Sequence, residues 1–200
     1  AAPEQIFVTA GSIEGLELCL RALSTAGDPV ALENPGYQPM RRQVEAMGMR
    51  ILDMALDDQG TCVPDQAAAL AVLTPSHQYP LGGTMSANRR QAFLAWAAAT
   101  ESWIVEDDYD SEFRFAGRPI PAMAGFDGLN RTIYVGSFSK IFSSGLRLGY
   151  VIPPLDLRDR FAETLRRFGS KASVTPQPPL AEFMENGDFY RHLRRVRRHY

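Results

Sequence analysis

Lysine, cysteine and histidine are scarce in this sequence of 200 residues. Only Lys140 and Lys171 carry a side-chain amine, so a chemistry that needs a primary amine has two candidates. Cys19 and Cys62 are too few for a disulfide framework, which favours a reducing compartment such as the cytoplasm.

Long apolar runs and a strong charge of one sign are also absent. No run approaches the roughly 20 apolar residues that cross a bilayer, and the first residues lack the basic and apolar regions of a signal peptide. The net charge of −2 gives no general attraction to nucleic acid or to an anionic membrane. An apolar fraction of 45% with 22% charged residues predicts a folded globular chain.

Strand-length apolar runs alternate with segments of helical period along the chain. Strands are predicted at 6–10, 30–33, 49–56, 70–76, 102–108, 132–138 and 146–152. Helices are predicted from Ser12 to Leu23 and at 37–47, 86–100, about 156–168, 176–186 and 188–200. This alternation predicts an α/β fold with a mostly parallel sheet and helices on both faces, and its ligand sites lie at the carboxyl ends of the strands.

Both ends of the sequence are typical of a piece of a longer protein. It begins without Met and enters a strand within six residues. The last predicted helix has no Gly, Asn or Pro after it, and its polar face carries an arginine cluster that is more typical of a solvated surface than of a nucleic-acid module. We therefore expect one large domain, over residues 1–200, of a longer chain.

The segment VGSFSKIFSSGLRLGY (135–150) combines hydroxyls, a lysine and an arginine after a strand. Ser137, Ser139 and Arg147 suit a phosphate group, because hydroxyls donate hydrogen bonds and arginine adds a charged fork. Lys140 can form a Schiff base with a carbonyl cofactor. By residue type alone, a lysine in a serine-rich surface turn is an equally good interpretation.

Three consecutive carboxylates, Glu106, Asp107 and Asp108, end the strand at 102–108. Three interpretations stay open: a helix cap, a metal site, or a partner for a protonated pyridine nitrogen as in pyridoxal 5′-phosphate (PLP) enzymes. The histidines give no metal-ligand spacing with them.

Three further turns follow predicted strands. Gly11-Ser12 opens a helix, where free N–H groups bind anions, although an ordinary Ser cap is commoner. Tyr37 suits stacking on a flat cofactor or, more often, a place in the core. His77, Gln78 and Tyr79 either face a pocket or form a structural turn.

Three segments carry a family resemblance: TPSHQYPLG (74–82), VEDDYDSEFR (105–114) and GSFSKIFSSGLRLGY (136–150). The sequence resembles the fold-type-I PLP-dependent aminotransferases of class I/II. It is more similar to the aminotransferase-like domain of MocR-type regulators in the GntR family. The resemblance covers nearly the whole chain and implies the three-layer large domain that binds PLP.

The resemblance also implies roles for single residues. Lys140 is the lysine of the internal aldimine, Asp107 pairs with the pyridine nitrogen, and Tyr109 hydrogen-bonds the phenolic oxygen of PLP. Tyr37 stacks on the ring. The phosphate is held by Ser12, the backbone of Ile13, Ser137, Ser139 and Arg147.

The sequence departs from the family at two of these places. Tyr79 stands where an asparagine usually donates a hydrogen bond to the phenolic oxygen, so the contact with that oxygen depends more on Tyr109. Ile13 stands where many relatives have a polar residue. The family's winged-helix DNA-binding domain and C-terminal small domain are not in this chain, so DNA is a partner only through a missing domain.

Two functions follow from the resemblance. The first is the effector-sensing, dimerising PLP domain of a bacterial transcription regulator that answers to PLP or an amine. The alternative is a catalytic aminotransferase that acts on an amino acid and a 2-oxo acid. The motif spellings favour the regulator, and the resemblance implies a homodimer.

Overall fold

The protein is described from a computed structural model that covers residues 1–110 and 121–196. The strands are β1 (Phe7–Thr9), β2 (Pro29–Glu33), β3 (Arg50–Met54), β4 (Leu56–Asp57), β5 (Gly60–Thr61), β6 (Leu70–Leu73), β7 (Trp103–Asp108), β8 (Thr132–Ser137) and β9 (Gly149–Ile152). The helices are α1 (Ser12–Leu23), α2 (Gln38–Ala46), α3 (Ala87–Thr100), α4 (Met123–Asp127), α5 (Arg158–Phe168), α6 (Gln177–Glu185) and α7 (Asp188–Val196).

Seven of these strands form one sheet in the order β1-β9-β8-β7-β6-β2-β3. The pairs among β3, β2, β6, β7 and β8 are parallel, whereas β9 runs antiparallel to both of its neighbours. The predicted mostly parallel sheet is therefore confirmed. The parallel strands place their carboxyl ends at one edge, where the loops that follow them meet.

Apolar cores lie on both faces of the sheet, as the strand–helix alternation predicts. One core joins inward-facing strand residues such as Val105 and Val135 to helices α1, α2 and α5. The other joins residues such as Ala71 and Ile104 to α3 and to Met123 of α4. The three-layer α/β prediction is thereby confirmed.

Several boundaries differ from the predicted ones. The run at 49–56 breaks at Ala55 into β3 and β4, which belong to different sheets. Strand β9 begins at Gly149 rather than at 146, because Arg147 adopts a left-handed conformation with φ of +46°. Helix α4 was not predicted, and residues 197–200 of the last predicted helix lie outside the described residues. Within residues 1–110 and 121–196, every helix is too short or too polar to span a membrane.

Candidate functional site

A cavity of about 400 Å³ lies at the sheet edge where the parallel strands end. The cavity is lined by all nine residues to which the family resemblance gives a role: Ser12, Ile13, Tyr37, Asp107, Tyr109, Ser137, Ser139, Lys140 and Arg147. Ala10, Gly11, Thr74 and Tyr79 complete the lining. Residues from five separate parts of the chain thus meet around a space of the size that small-molecule sites have.

Strand register explains why distant residues meet at this cavity. Gly149 at the start of β9 lies opposite Thr9 at the end of β1 and opposite Ser137 at the end of β8. The two loops that leave these strands are therefore adjacent, and a Cβ built on Gly11 would lie 4.0 Å from Ser139 Oγ. The start of α1 and the serine-rich loop form one corner of the cavity.

This corner, which comprises residues 10–13 and Ser137, Ser139 and Arg147, is suited to an anion. Gly11, with φ of +85°, is the N-cap residue of α1, and no side chain caps the helix. The ordinary Ser cap is therefore wrong for Ser12, which is already the first helical residue. The first N–H groups of α1 and its dipole would face an anion bound in this corner without competition from a side-chain cap.

The hydroxyl of Ser137 can donate a hydrogen bond in the same corner. Its Oγ accepts a hydrogen bond from the backbone N–H of Ser139 over 3.2 Å. Because that contact uses a lone pair, the hydroxyl hydrogen is left for another acceptor.

Two cations, Lys140 and Arg147, face the cavity and are exposed. Within the part of the chain that the structure describes, neither forms an ion pair with a carboxylate. Arg147 also holds a left-handed backbone conformation that a side-chain-bearing residue rarely adopts. Such strain persists where the surroundings enforce it, and it clusters at ligand sites.

Asp107 is buried on β7, and its Oδ1 has no hydrogen-bond partner among the described residues. Burial, followed by repulsion from Asp108, Glu33 and Asp110, raises the pKa of its carboxyl to about 7. A buried carboxylate without a partner is costly, so this position calls for a hydrogen-bond donor with positive charge. The protonated ring nitrogen of PLP fits that requirement.

The neighbouring carboxylates on β7 have other partners. Glu106 is fully buried and accepts hydrogen bonds from the N–H groups of Met123 (2.9 Å) and Ala124 (3.0 Å), so it caps α4. Asp108 accepts a hydrogen bond from the hydroxyl of Tyr134 over 2.8 Å. The helix-cap interpretation is correct for Glu106, and the described residues contain no group of three metal-ligating side chains.

Aromatic rings form the wall of the cavity away from the anion corner. Tyr37 and Tyr79 pack edge to face, with ring centroids 5.8 Å apart. The pKa of Tyr37 is raised by its partial burial and by the nearby Asp107. Tyr109 stacks on the His77 ring at 5.9 Å and donates its hydroxyl hydrogen to the His77 carbonyl oxygen over 2.8 Å.

Sequence reasoning missed a polar network that holds this wall. The Glu33 carboxylate accepts hydrogen bonds from the hydroxyls of Thr61 and Thr74 and, over 3.1 Å, from the Thr74 N–H. Gln78 is buried, and its amide donates to Glu33, to Pro35 O and to Tyr79 O. The structural-turn interpretation is correct for Gln78. The only sequence signal was a charged residue, Glu33, at the end of an apolar strand.

Two charged residues near the site have structural partners. The buried Glu14 accepts hydrogen bonds from the N–H groups of Ala10 and Lys171, so its carboxylate braces the corner and is not among the residues that line the cavity. Lys171 Nζ lies 2.9 Å from Glu17. Of the two lysines, Lys140 alone lines the cavity.

Comparisons with known proteins place the chain in a family. The family model for aminotransferase class I and II matches residues 1–199. The chain is 38% identical over 202 residues to the probable rhizopine catabolism regulatory protein MocR of Rhizobium meliloti, covering 100% of this chain and 41% of that protein. It is 40% identical over 202 residues to the pyridoxine biosynthesis transcriptional regulator PdxR of Corynebacterium glutamicum, covering 99% and 44%. The chain spans about two fifths of the length of these curated relatives.

Solved aminotransferases share the fold. The multiple substrate aminotransferase of Thermococcus profundus superposes with a TM-score of 0.88 at 28% identity, over 96% of this chain and 51% of that one. LysN of Thermus thermophilus, an α-aminoadipate aminotransferase solved with N-(5′-phosphopyridoxyl)-L-leucine, gives 0.85 at 28% identity, over 99% and 53%.

These matches confirm the resemblance to fold-type-I aminotransferases and to MocR-type regulators. The family depends on PLP in general, and the cavity described above offers that cofactor a suitable set of groups. The chain belongs to the aminotransferase class I and II family.

Proposed function

We propose that this chain is the PLP-binding, effector-sensing domain of a bacterial transcription regulator, and that it responds to PLP or to a small amine. The observation that carries the proposal is that a buried carboxylate and a lysine amine line the same cavity. Within the described residues, Asp107 Oδ1 is a buried acceptor without a partner, and no carboxylate forms an ion pair with the amine of Lys140. Similarity to curated regulators supports a sensing role.

Different residues of the cavity would contact different parts of the cofactor. Ser12, the backbone of Ile13, Ser137, Ser139 and Arg147 would hold the phosphate, Tyr37 would stack on the ring, and Tyr109 would contact the phenolic oxygen. PLP supplies an aldehyde that bonds to primary amines and a ring that withdraws electrons. Asp107 would keep the ring nitrogen protonated, and Lys140 would hold or release a proton at Nζ.

The further parts of this proposal concern the rest of the protein. DNA binding belongs to a separate winged-helix domain, and the residues that bind the carboxylate of an amino compound belong to a separate small domain. The homodimer and the cytoplasmic location stay predictions. Sedimentation of the full-length protein checks the dimer.

The two lysines of the chain provide the first test. The full-length protein is incubated with PLP, reduced with borohydride, digested and mapped by mass spectrometry. We expect the adduct on Lys140 in the natural protein and in Lys171→Ala, which serves as the matched control. An adduct that survives in Lys140→Ala on another residue of the cavity overturns the assignment.

The alternative function, a catalytic aminotransferase, is supported by the similarity to solved aminotransferases. The two are separated by adding an amino acid and a 2-oxo acid to the PLP-loaded full-length protein. A sensor gives a change in absorbance that saturates without sustained product. Continued formation of a new amino acid, lost in Lys140→Ala, favours the enzyme.

A further inference from the structure

An aromatic cluster anchors the backbone on both sides of Lys140. Phe138 and Phe142 lie two residues before and two residues after the lysine. The ring of Phe142 lies 5.5 Å from Phe183 of α6 and 5.6 Å from Phe189 of α7, and that of Phe138 lies 6.4 Å from Phe189. The position of the lysine loop therefore depends on α6 and α7.

His192 of α7 makes two contacts with this loop. Its ring stacks on Phe142 with centroids 4.9 Å apart and planes within 4° of parallel. Its Nε2 lies 2.8 Å from the carbonyl oxygen of Ile141, the residue next to Lys140. Because a carbonyl oxygen only accepts, Nε2 must carry the hydrogen in this contact.

The Lys140 side chain has no comparable anchor. It is exposed, and no ion pair or side-chain hydrogen bond holds its amine within the described ranges 1–110 and 121–196. The direction in which Nζ reaches the cavity is therefore set by the backbone of residues 138–142. That backbone is held in place from α7.

We propose that His192 is a positioning residue for Lys140: it fixes the Ile141 carbonyl and the Phe142 ring, and so aims the lysine amine into the cavity. This inference rests on the proposed function, because it concerns the covalent attachment of PLP to Lys140. In that step the amine nitrogen bonds to the aldehyde carbon, and the aldehyde oxygen leaves as water. A misdirected amine slows attachment, whereas every group proposed to hold the phosphate and the ring, except Ser139, lies outside residues 138–142.

The test separates attachment from simple binding by using two backgrounds. His192→Ala is made in the full-length protein and in its Lys140→Ala variant, in which PLP can bind only non-covalently. PLP affinity and the rate of attachment, trapped with borohydride, are then measured. We expect about a tenfold loss in affinity and rate in the lysine background, the size of one lost hydrogen bond with its stacking contact. In the Lys140→Ala background the affinity should fall much less, because Ser139 is the one proposed phosphate-holding residue within residues 138–142.

One conservative variant and one control keep the result specific. His192→Gln, which keeps a donor, should restore part of the attachment rate, and Arg195→Ala, exposed on the same helix, should leave it unchanged. An equal loss of affinity in both backgrounds would mean a general structural effect and overturns the proposal, as does an unchanged rate in His192→Ala. If the natural protein itself takes up no PLP at Lys140, the proposed function fails first and this role falls with it.

Discussion

Tyr109 donates its hydroxyl hydrogen to the backbone carbonyl oxygen of His77 over 2.8 Å. A phenol has one hydrogen to donate, so in this arrangement the oxygen of Tyr109 can only accept from a ligand. Tyr79 stands where the family that the sequence resembles usually has an asparagine donor, so we expect the Tyr109 hydroxyl to lie beside the phenolic oxygen of the proposed cofactor. The interaction ties the loop after β7 to the loop after β6.

Tyr109→Phe should therefore have a small effect on the fold and a larger one on the cofactor. Losing one partly exposed hydrogen bond should lower the free energy of unfolding by about 0.5–1 kcal/mol. The absorbance of bound PLP should shift, because the phenolic oxygen loses its neighbour. Denaturant unfolding and PLP titration measure the two effects, with the exposed Tyr190→Phe as control. An unchanged PLP spectrum contradicts the role of the hydroxyl.

Strand ends in the sequence predict the edge of the sheet at which the cavity lies. Ser12, Asp107 and Ser137 each stand at or beside the end of an apolar run, and strand ends of one sheet meet at one edge. Local pattern therefore indicates the edge of the sheet, whereas the roles of single residues come from the family resemblance and stay predictions.

The parts that could not be predicted depend on contacts between residues far apart in sequence. Thr74 binds Glu33 across 41 positions, and no local pattern marks that pair. Helix α4 is five residues long and is capped by Glu106, 17 positions before Met123. A helix this short carries little periodicity, so its stability comes from the buried cap rather than from its own sequence.

Asp107→Asn should change how stability varies with pH in the cofactor-free protein. Burial and neighbouring carboxylates raise the pKa of Asp107 from 3.8 to about 7, so the folded state binds the proton more tightly than the unfolded state. Stability of the natural protein should then fall as pH rises from about 4 to about 7, by up to about 4 kcal/mol. The asparagine variant should lack this fall.

Urea unfolding at about pH 5 and about pH 8 measures the difference. Asp53→Asn, a half-exposed carboxylate with an arginine partner, is the control and should keep the fall. PLP affinity should decrease in Asp107→Asn, because a neutral amide attracts the ring nitrogen less strongly. Parallel pH profiles for the natural protein and Asp107→Asn would contradict the assignment of the raised pKa.

Glu106→Ala should destabilise the fold with little direct effect on the cofactor. The change leaves two N–H groups at the start of α4 without their acceptor and removes a fully buried side chain. A loss of about 3 kcal/mol in the free energy of unfolding is expected. Thermal and denaturant unfolding measure it against Glu45→Ala, an exposed glutamate of α2. A loss of PLP affinity in a variant of unchanged stability would show that Glu106 acts at the site instead.

Gly149→Ala should disturb the anion corner through the backbone. A Cβ at this position would lie 2.8 Å from the carbonyl carbon of Gly11, the N-cap residue of α1, and 2.8 Å from the carbonyl oxygen of Gly136 in β8. Such backbone atoms move only at high cost. We expect the free energy of unfolding to fall by on the order of 2 kcal/mol. A shift of Gly11, the N-cap residue of α1, would move the first N–H groups of that helix. The affinity for PLP, and for inorganic phosphate as a competitor, should therefore fall as well.

Gly125→Ala in α4 is the matched control for this last prediction. Its Cβ would meet no atom within 4 Å, and alanine favours a helix, so stability should rise slightly and PLP affinity should stay the same. Equal PLP and phosphate affinities in Gly149→Ala and the natural protein would mean that the start of α1 does not hold the phosphate. The anion would then have to be bound by Ser137, Ser139 and Arg147, which are the polar side chains of the corner that lie outside α1.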